Sequence, residues 1–158
     1  MVQVQSEADY TVIVEKFSDM IYRIAYQNLM NAADAEDVTQ DVFIRLLRNR
    51  AKSFEDQEHL KAWLIRVTVN RCRDYRRFVL RRNETALEEH EDVREAELGS
   101  LWEEIAGLPR EDRTIVYLHY YEGYSIKEIG KILGKNANTV SSRLTRARKK
   151  LRMMLKEA

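Results

Sequence analysis

Residues 125–155, SIKEIGKILGKNANTVSSRLTRARKKLRMML, read as two short amphipathic helices joined by a tight turn, with the positive charge concentrated on the second. Apolar residues recur at Ile126, Ile129, Ile132 and Leu133 in the first helix and at Val140, Leu144, Ala147 and Leu151 in the second, close to a 3.6-residue period. Between them Gly134 can take a positive φ at the helix end, and Asn136 suits the N-cap of the second helix. Gly130 lies inside the first helix, where it costs about 1 kcal/mol relative to alanine; a close approach of the second helix would justify it. Opposite the apolar stripe lie Arg143, Arg146, Lys149 and Lys150. Such a pair of helices is a device for placing a basic helix in the major groove of DNA. The alternative is a basic, solvated face on a C-terminal helical hairpin.

The rest of the composition supports a helical protein. One proline and five glycines leave little for β-structure, and 158 residues suffice for one ordinary domain or two small ones. The net charge of +1 hides a sharp segregation: residues 1–82 carry 14 Lys/Arg against 12 Asp/Glu, residues 83–112 carry 2 against 11, and residues 113–158 carry 11 against 3. Two basic surfaces separated by an acidic connector suggest two contacts with a polyanion. Cys72 is the only cysteine, so it can form no intrachain disulfide and no cysteine metal cluster, and is expected to pack as a small apolar residue. The N-terminus has no signal pattern and no stretch reaches the about 18 apolar residues of a membrane span, so no membrane insertion and a cytoplasmic location are expected.

Along the chain, periodicity begins near Tyr10 and runs through Phe17, Ile21, Ile24, Ala25 and Leu29 to about Asn31. A second helix is expected from Asp34, whose side chain can cap its first turn, burying Val38, Val42 and Leu46 and ending near Arg50. After the break AKSFEDQEH, a long helix runs from His59 to about Arg82, with Leu64, Thr68, Cys72, Tyr75 and Val79 on one stripe. Arg66, Asn70, Arg73 and Arg77 share the opposite face. NETALEEHEDVREAE then reads as an acidic, self-repelling, flexible linker. Order is expected to resume near Leu98 with Leu101, Trp102 and Ile105, and Pro109 starts the helix carrying Ile115, Val116 and Leu118.

Nothing in this pattern suggests catalysis. His59, His90 and His119 are far apart and near no metal-ligand spacing, and there is no phosphate loop or nucleophile elbow. Neither a catalytic residue nor a metal or other cofactor is expected.

Three strings in order resemble the bacterial RNA polymerase sigma factors of the extracytoplasmic-function type: DAEDVTQDVFIRLLRN at 34–49, AWLIRVTVNRCRDYRR at 62–77, and LPREDRTIVYLHYYEGYSIKEIGKILG followed by NTVSSRLTRARKKL. The resemblance implies an all-α fold of two small helical domains: residues 1–82 as sigma domain 2, 83–97 as linker and 98–158 as a helix-turn-helix sigma domain 4. It implies a transcription initiation factor that binds core RNA polymerase and recognises −35 and −10 promoter elements. By the same resemblance Asp34, Asp37, Gln40, Asp41, Ile44 and Arg48 dock on the polymerase β′ clamp coiled coil, and the β flap is a further contact. The stripe of Asp37, Asp41, Ile44 and Arg48 is itself a mixed acidic and apolar face suited to another helix, the plainer reading being a solvated helix surface.

Phe54, Arg66, Asn70, Arg73, Arg76 and Arg77 are the implied −10 DNA-binding residues, arginines for phosphates and Asn70 for a base edge. Similar proteins hold a flipped base in the loop before this helix, here about Lys52 to Glu58, where Phe54 could stack on the base or anchor the loop; anchoring is the expected role. The implied −35 contacts are Asn138, Thr139, Ser141, Ser142, Arg143 and Arg146. Two positions depart from the family pattern: Lys135 replaces an apolar residue, and Asn138 replaces a glycine, which puts the turn angle in question. Many relatives are held inactive by an anti-sigma protein. The rivals are a helix-turn-helix regulator acting without polymerase, which needs neither the Asp37/Asp41 face nor the arginine helix, and a helical sigma-sequestering protein, which has little use for a basic groove helix.

Overall fold

The computed structural model describes residues 1–81 and 105–157, with side chains as far as Met154. The chain divides into two compact units, Met1–His90 and Glu91–Ala158. Both are all-α; among the described residues the one β-type pairing is an isolated antiparallel bridge between Val2 and Phe54. The expected acidic linker and the residues Leu98, Leu101 and Trp102 lie outside the described residues.

The first unit packs α1 (Glu7–Leu29) against α2 (Ala32–Arg48) and α3 (Gln57–Arg81). Ser6 caps α1, its hydroxyl accepting from the Asp9 N–H at 3.1 Å. The helix ends at Met30 in left-handed geometry (φ 53°), uncommon for a residue with a side chain, and the Met30 N–H donates to Tyr26 O at 2.7 Å. Asn31, not Asp34, caps α2: its side chain accepts from the Asp34 N–H at 3.0 Å. The helix starts two residues earlier than expected, which places Asp34 in its first turn and frees the carboxylate for α3. Ile21, Ile24, Leu29, Leu46, Leu60, Leu64 and Ile65 are each under 2 % exposed, and truncating one to alanine should cost about 2–5 kcal/mol. Cys72 is buried in this core and forms no disulfide, on the stripe with Leu64, Thr68 and Val79.

The second unit contains α4 (Arg110–Val116), a π-helical segment (Tyr117–Tyr121), α5 (Ile126–Leu133) and α6 (Ala137–Glu157). The π segment carries a Glu122 N–H to Tyr117 O bond of 3.1 Å and stacks the Tyr117 and Tyr121 rings at 5.0 Å. Ser125 and Glu128 form a reciprocal capping box at the start of α5, with bonds of 3.1 and 3.0 Å. Those bonds to Ser125, the one from its backbone N–H first, hold the Glu128 carboxyl below the usual carboxylate range. Gly134 ends α5 at φ 66° as expected. Gly130 is explained by proximity: a Cβ there would lie 2.7 Å from Lys135 O in the turn and 3.6 Å from Ala137 N. Val140, Leu144 and Ala147 of α6 are buried with Ile129 and Ile132 of α5 and Ile115 and Leu118. Asn138 needs no left-handed geometry, since it lies within α6, and Met30 is the one non-glycine residue with positive φ among the described residues. None of the described helices is long and apolar enough to cross a membrane.

Candidate nucleic-acid and partner interfaces

Helix α6 presents two kinds of cation. Asn136 caps it, its Oδ1 accepting from the Asn138 N–H at 2.8 Å, and the turn leaves Asn138, Thr139, Ser142 and Arg146 exposed, with Ser141 half-buried. Arg146, Lys149, Lys150 and Arg152 are exposed further along, a set of cations suited to a phosphate backbone. Arg143, expected to be exposed with them, is instead engaged by acidic residues of α4. It is half-buried, with Nη2 2.7 Å from Glu111 Oε2 and Nη1 3.1 Å from Asp112 Oδ1. Asp112 is a buried carboxylate at the start of α4 and requires a cation, and position 143 flanks the buried Leu144 closely enough to supply it. Lys135, the unusual turn residue, lies 3.5 Å from the same Glu111 carboxylate. The turn, α4 and α6 are thus joined by one ionic cluster. Arg148 is likewise occupied, bonded to the Tyr120 hydroxyl and lying 5.6 Å from that ring's centre.

The arginines of α3 divide in the same way. Arg66, Arg73 and Arg77 are exposed and Asn70 is half-exposed on one face. Arg73 Nη2 donates to Asn70 Oδ1 at 3.1 Å, which leaves the Asn70 amide N–H groups to offer to an acceptor. Arg76, expected on DNA, instead donates to Asn28 Oδ1 (3.3 Å) and Asn28 O (3.5 Å), neutralising the C-terminal end of α1, whose last turn has no basic residue. Phe54 takes the anchoring role: it is 1 % exposed, bridged to Val2 and packed on His59 and Trp63 with ring separations of 5.4 and 5.5 Å. A ring so enclosed has no face left for a base.

Also in the first unit, Asp37, Gln40, Asp41 and Ile44 of α2 form one wall of an open cleft of about 570 Å³. The other wall comes from α3: Arg71, Asp74, Tyr75 and Phe78, a contribution that the α2 periodicity could not reveal. Ile44 and Phe78 are 43 % and 50 % exposed, so the cleft joins carboxylates to accessible apolar surface. Asp41 is ion-paired with Arg71. Asp34 stands outside the cleft, its Oδ1 accepting from the Tyr75 hydroxyl at 2.5 Å, and Arg48 is exposed at the end of α2, also outside it.

Among the described residues no group of His, Cys, Asp and Glu is arranged to hold a metal ion. His59 Nδ1 accepts from the Glu55 N–H at 3.0 Å, and His119 Nδ1 lies 2.8 Å from Tyr124 O.

Comparison with known proteins places the chain in a family. The Sigma-70 region 2 family matches residues 13–82, and the Sigma-70, region 4 family matches residues 98–151. The ECF RNA polymerase sigma factor SigE of Mycolicibacterium smegmatis is 37% identical over 153 residues, covering 89% of this chain and 59% of that protein. The chain therefore spans less than two thirds of that relative's length. The ECF RNA polymerase sigma factor SigW of Bacillus subtilis is 31% identical over 165 residues, covering 92% of this chain and 88% of that protein. The fold is similar to that of the sigma factor RpoE solved in complex with the anti-sigma factor NepR from Bartonella quintana, with TM-score 0.78, 24% identity, and coverage of 94% and 97% of the two chains. With both Sigma-70 regions matched in order and SigW aligned over most of its length, the chain belongs to the extracytoplasmic-function family of RNA polymerase sigma factors.

Proposed function

We infer that this chain is a transcription initiation factor that binds core RNA polymerase and directs it to promoters, without chemistry of its own. The observation that carries this reading is the coexistence, on one chain, of an acidic and apolar cleft on α2 and α3 with an exposed basic helix in a helix-turn-helix. A regulator working alone on duplex DNA has no use for the cleft, and a sequestering protein has none for the basic helix. Residues 1–82 act as sigma domain 2, 83–97 as the linker and 98–158 as sigma domain 4.

In this reading Asp37, Gln40, Asp41 and Ile44 dock on the β′ clamp coiled coil, with Arg48 at the margin. Arg66, Asn70, Arg73 and Arg77 follow the −10 strand, the arginines on phosphates and the Asn70 amide on a base acceptor. Asn138, Thr139, Ser141, Ser142 and Arg146 face the −35 major groove, Arg146 being able to bind guanine O6 and N7 bidentately. Domain 4 also meets the β flap, and an anti-sigma protein that covers these surfaces would keep the factor silent.

Run-off transcription with purified core polymerase on a random promoter library tests the reading. The expected result is initiation from templates enriched for a paired −35 and −10 sequence, absent with core alone. Binding to enriched duplexes without any transcript would assign the chain to the stand-alone regulators.

A further inference from the structure

The segment preceding α1 does something that its length conceals. Val2 and Phe54 exchange both of their backbone hydrogen bonds, Val2 N–H to Phe54 O and Phe54 N–H to Val2 O, each at 2.7 Å. The Gln3 side chain reaches the same loop from the next residue, donating from Nε2 to Ala51 O at 3.1 Å and Arg50 O at 3.3 Å. Val4 is buried beside it. The loop from Asn49 to Asp56 has one buried side chain, Phe54, so its course depends on what its backbone is tied to. From the other side the Glu55 N–H is tied to His59 Nδ1. The alternation of an extended pair sends Phe54 inward and turns its neighbours Ser53 and Glu55 outward, and both are exposed.

We propose that residues Val2–Gln5 are a strap that positions the loop at 49–56 for recognition of the melted −10 element, with Val2 and Gln3 as positioning residues. This rests on the proposed function, in which that loop meets the displaced strand. The strap determines the orientation of Ser53 and Glu55 without touching DNA itself. Loosening it therefore blurs discrimination among −10 sequences and leaves −35 binding and polymerase binding alone.

The test uses the full chain assembled with core polymerase, and open-complex formation on single-base variants of a selected −10 sequence. Val2→Pro removes the N–H that Phe54 O accepts, Gln3→Ala removes the two carbonyl contacts, and Val2→Ile keeps the backbone bonds as a rescue. Loss of one net hydrogen bond corresponds to about a tenfold equilibrium effect at most, so discrimination by Val2→Pro should fall about three- to tenfold. Core-polymerase and −35 duplex affinities should stay within about twofold of wild type, and Val2→Ile should match wild type. The double variant Ser53→Ala with Glu55→Ala separates the strap from the −10 assignment of the loop. Altered −10 preference in that variant together with wild-type discrimination in Val2→Pro and Gln3→Ala overturns the strap alone. Unaltered preference in all of them overturns the assignment of the loop to −10 DNA, and the strap with it.

Discussion

Helices α3 and α6 are both rich in basic residues, and each divides them between neighbouring helices and solvent, though with different partners. On α3, which packs against both α1 and α2, Arg71 and Arg76 turn inward to Asp41 and Asn28 while Arg66, Arg73 and Arg77 stay outside. On α6, Arg143 turns inward to Glu111 and Asp112, and Arg146, Lys149 and Lys150 stay outside. Spacing along a helix says which residues share a face; the neighbouring helices decide whether that face is free. The arginines thus divide into those that turn to neighbouring helices and those that stay exposed.

The largest effect is expected where the partner cleft is inverted. Asp37→Lys combined with Asp41→Lys reverses the cleft's charge and cuts Arg71 loose, so binding to core polymerase should be lost while the far-ultraviolet circular dichroism stays close to wild type. Retention of β′ at the wild-type level in a pull-down contradicts the assignment of this face. Next in size, Arg143→Ala leaves the buried Asp112 without its cation and should destabilise the second unit by about 1.5–3 kcal/mol, the range for hydrogen bonds to charged groups. Chemical denaturation of the full chain reads this as an earlier transition for that unit, whereas Arg146→Ala should leave it unmoved. Asn70→Ala should reduce opening at the −10 element more than −35 binding, visible as weaker permanganate reactivity; an unchanged bubble returns Asn70 to the ordinary surface of α3.

The smallest effect concerns pH. The Glu128 carboxyl is held below its usual range, so its contribution to α5 is present above the unfolded carboxylate pKa and disappears as pH falls through the lower folded value. Glu128→Gln should melt below wild type at neutral pH and alongside it in acid; an equal gap at both shows that the carboxylate charge contributes nothing.

What the sequence displays plainly is what neighbouring residues decide. The apolar stripe of α6, the Gly134 ending and the Asn136 cap are properties of a few consecutive residues, and they stand as expected. The capping box of Ser125 and Glu128 and the period-two VQVQ of residues 2–5 are local signals too, which a search for helical periodicity alone passes over. The pairs Arg143–Asp112, Arg76–Asn28, Tyr75–Asp34 and Val2–Phe54 join residues dozens of positions apart, and no local spacing encodes them. Met30 in left-handed geometry is a different failure: a glycine or asparagine would have announced it, and methionine does not.

The division between inward-turned and exposed arginines is tested most directly by measuring −35 affinity for wild type, Arg146→Ala and Arg143→Ala against a panel of single-base variants at several salt concentrations. Arg146→Ala should lose about 1–3 kcal/mol on the preferred sequence and relax preference at one base pair. Arg143→Ala, compared below its unfolding transition, should weaken binding evenly across the panel, because it tilts the helix without naming a base. If instead Arg143→Ala relaxes one base position and Arg146→Ala leaves every preference intact, the inward ion pairs are broken on DNA and the account of α6 is wrong.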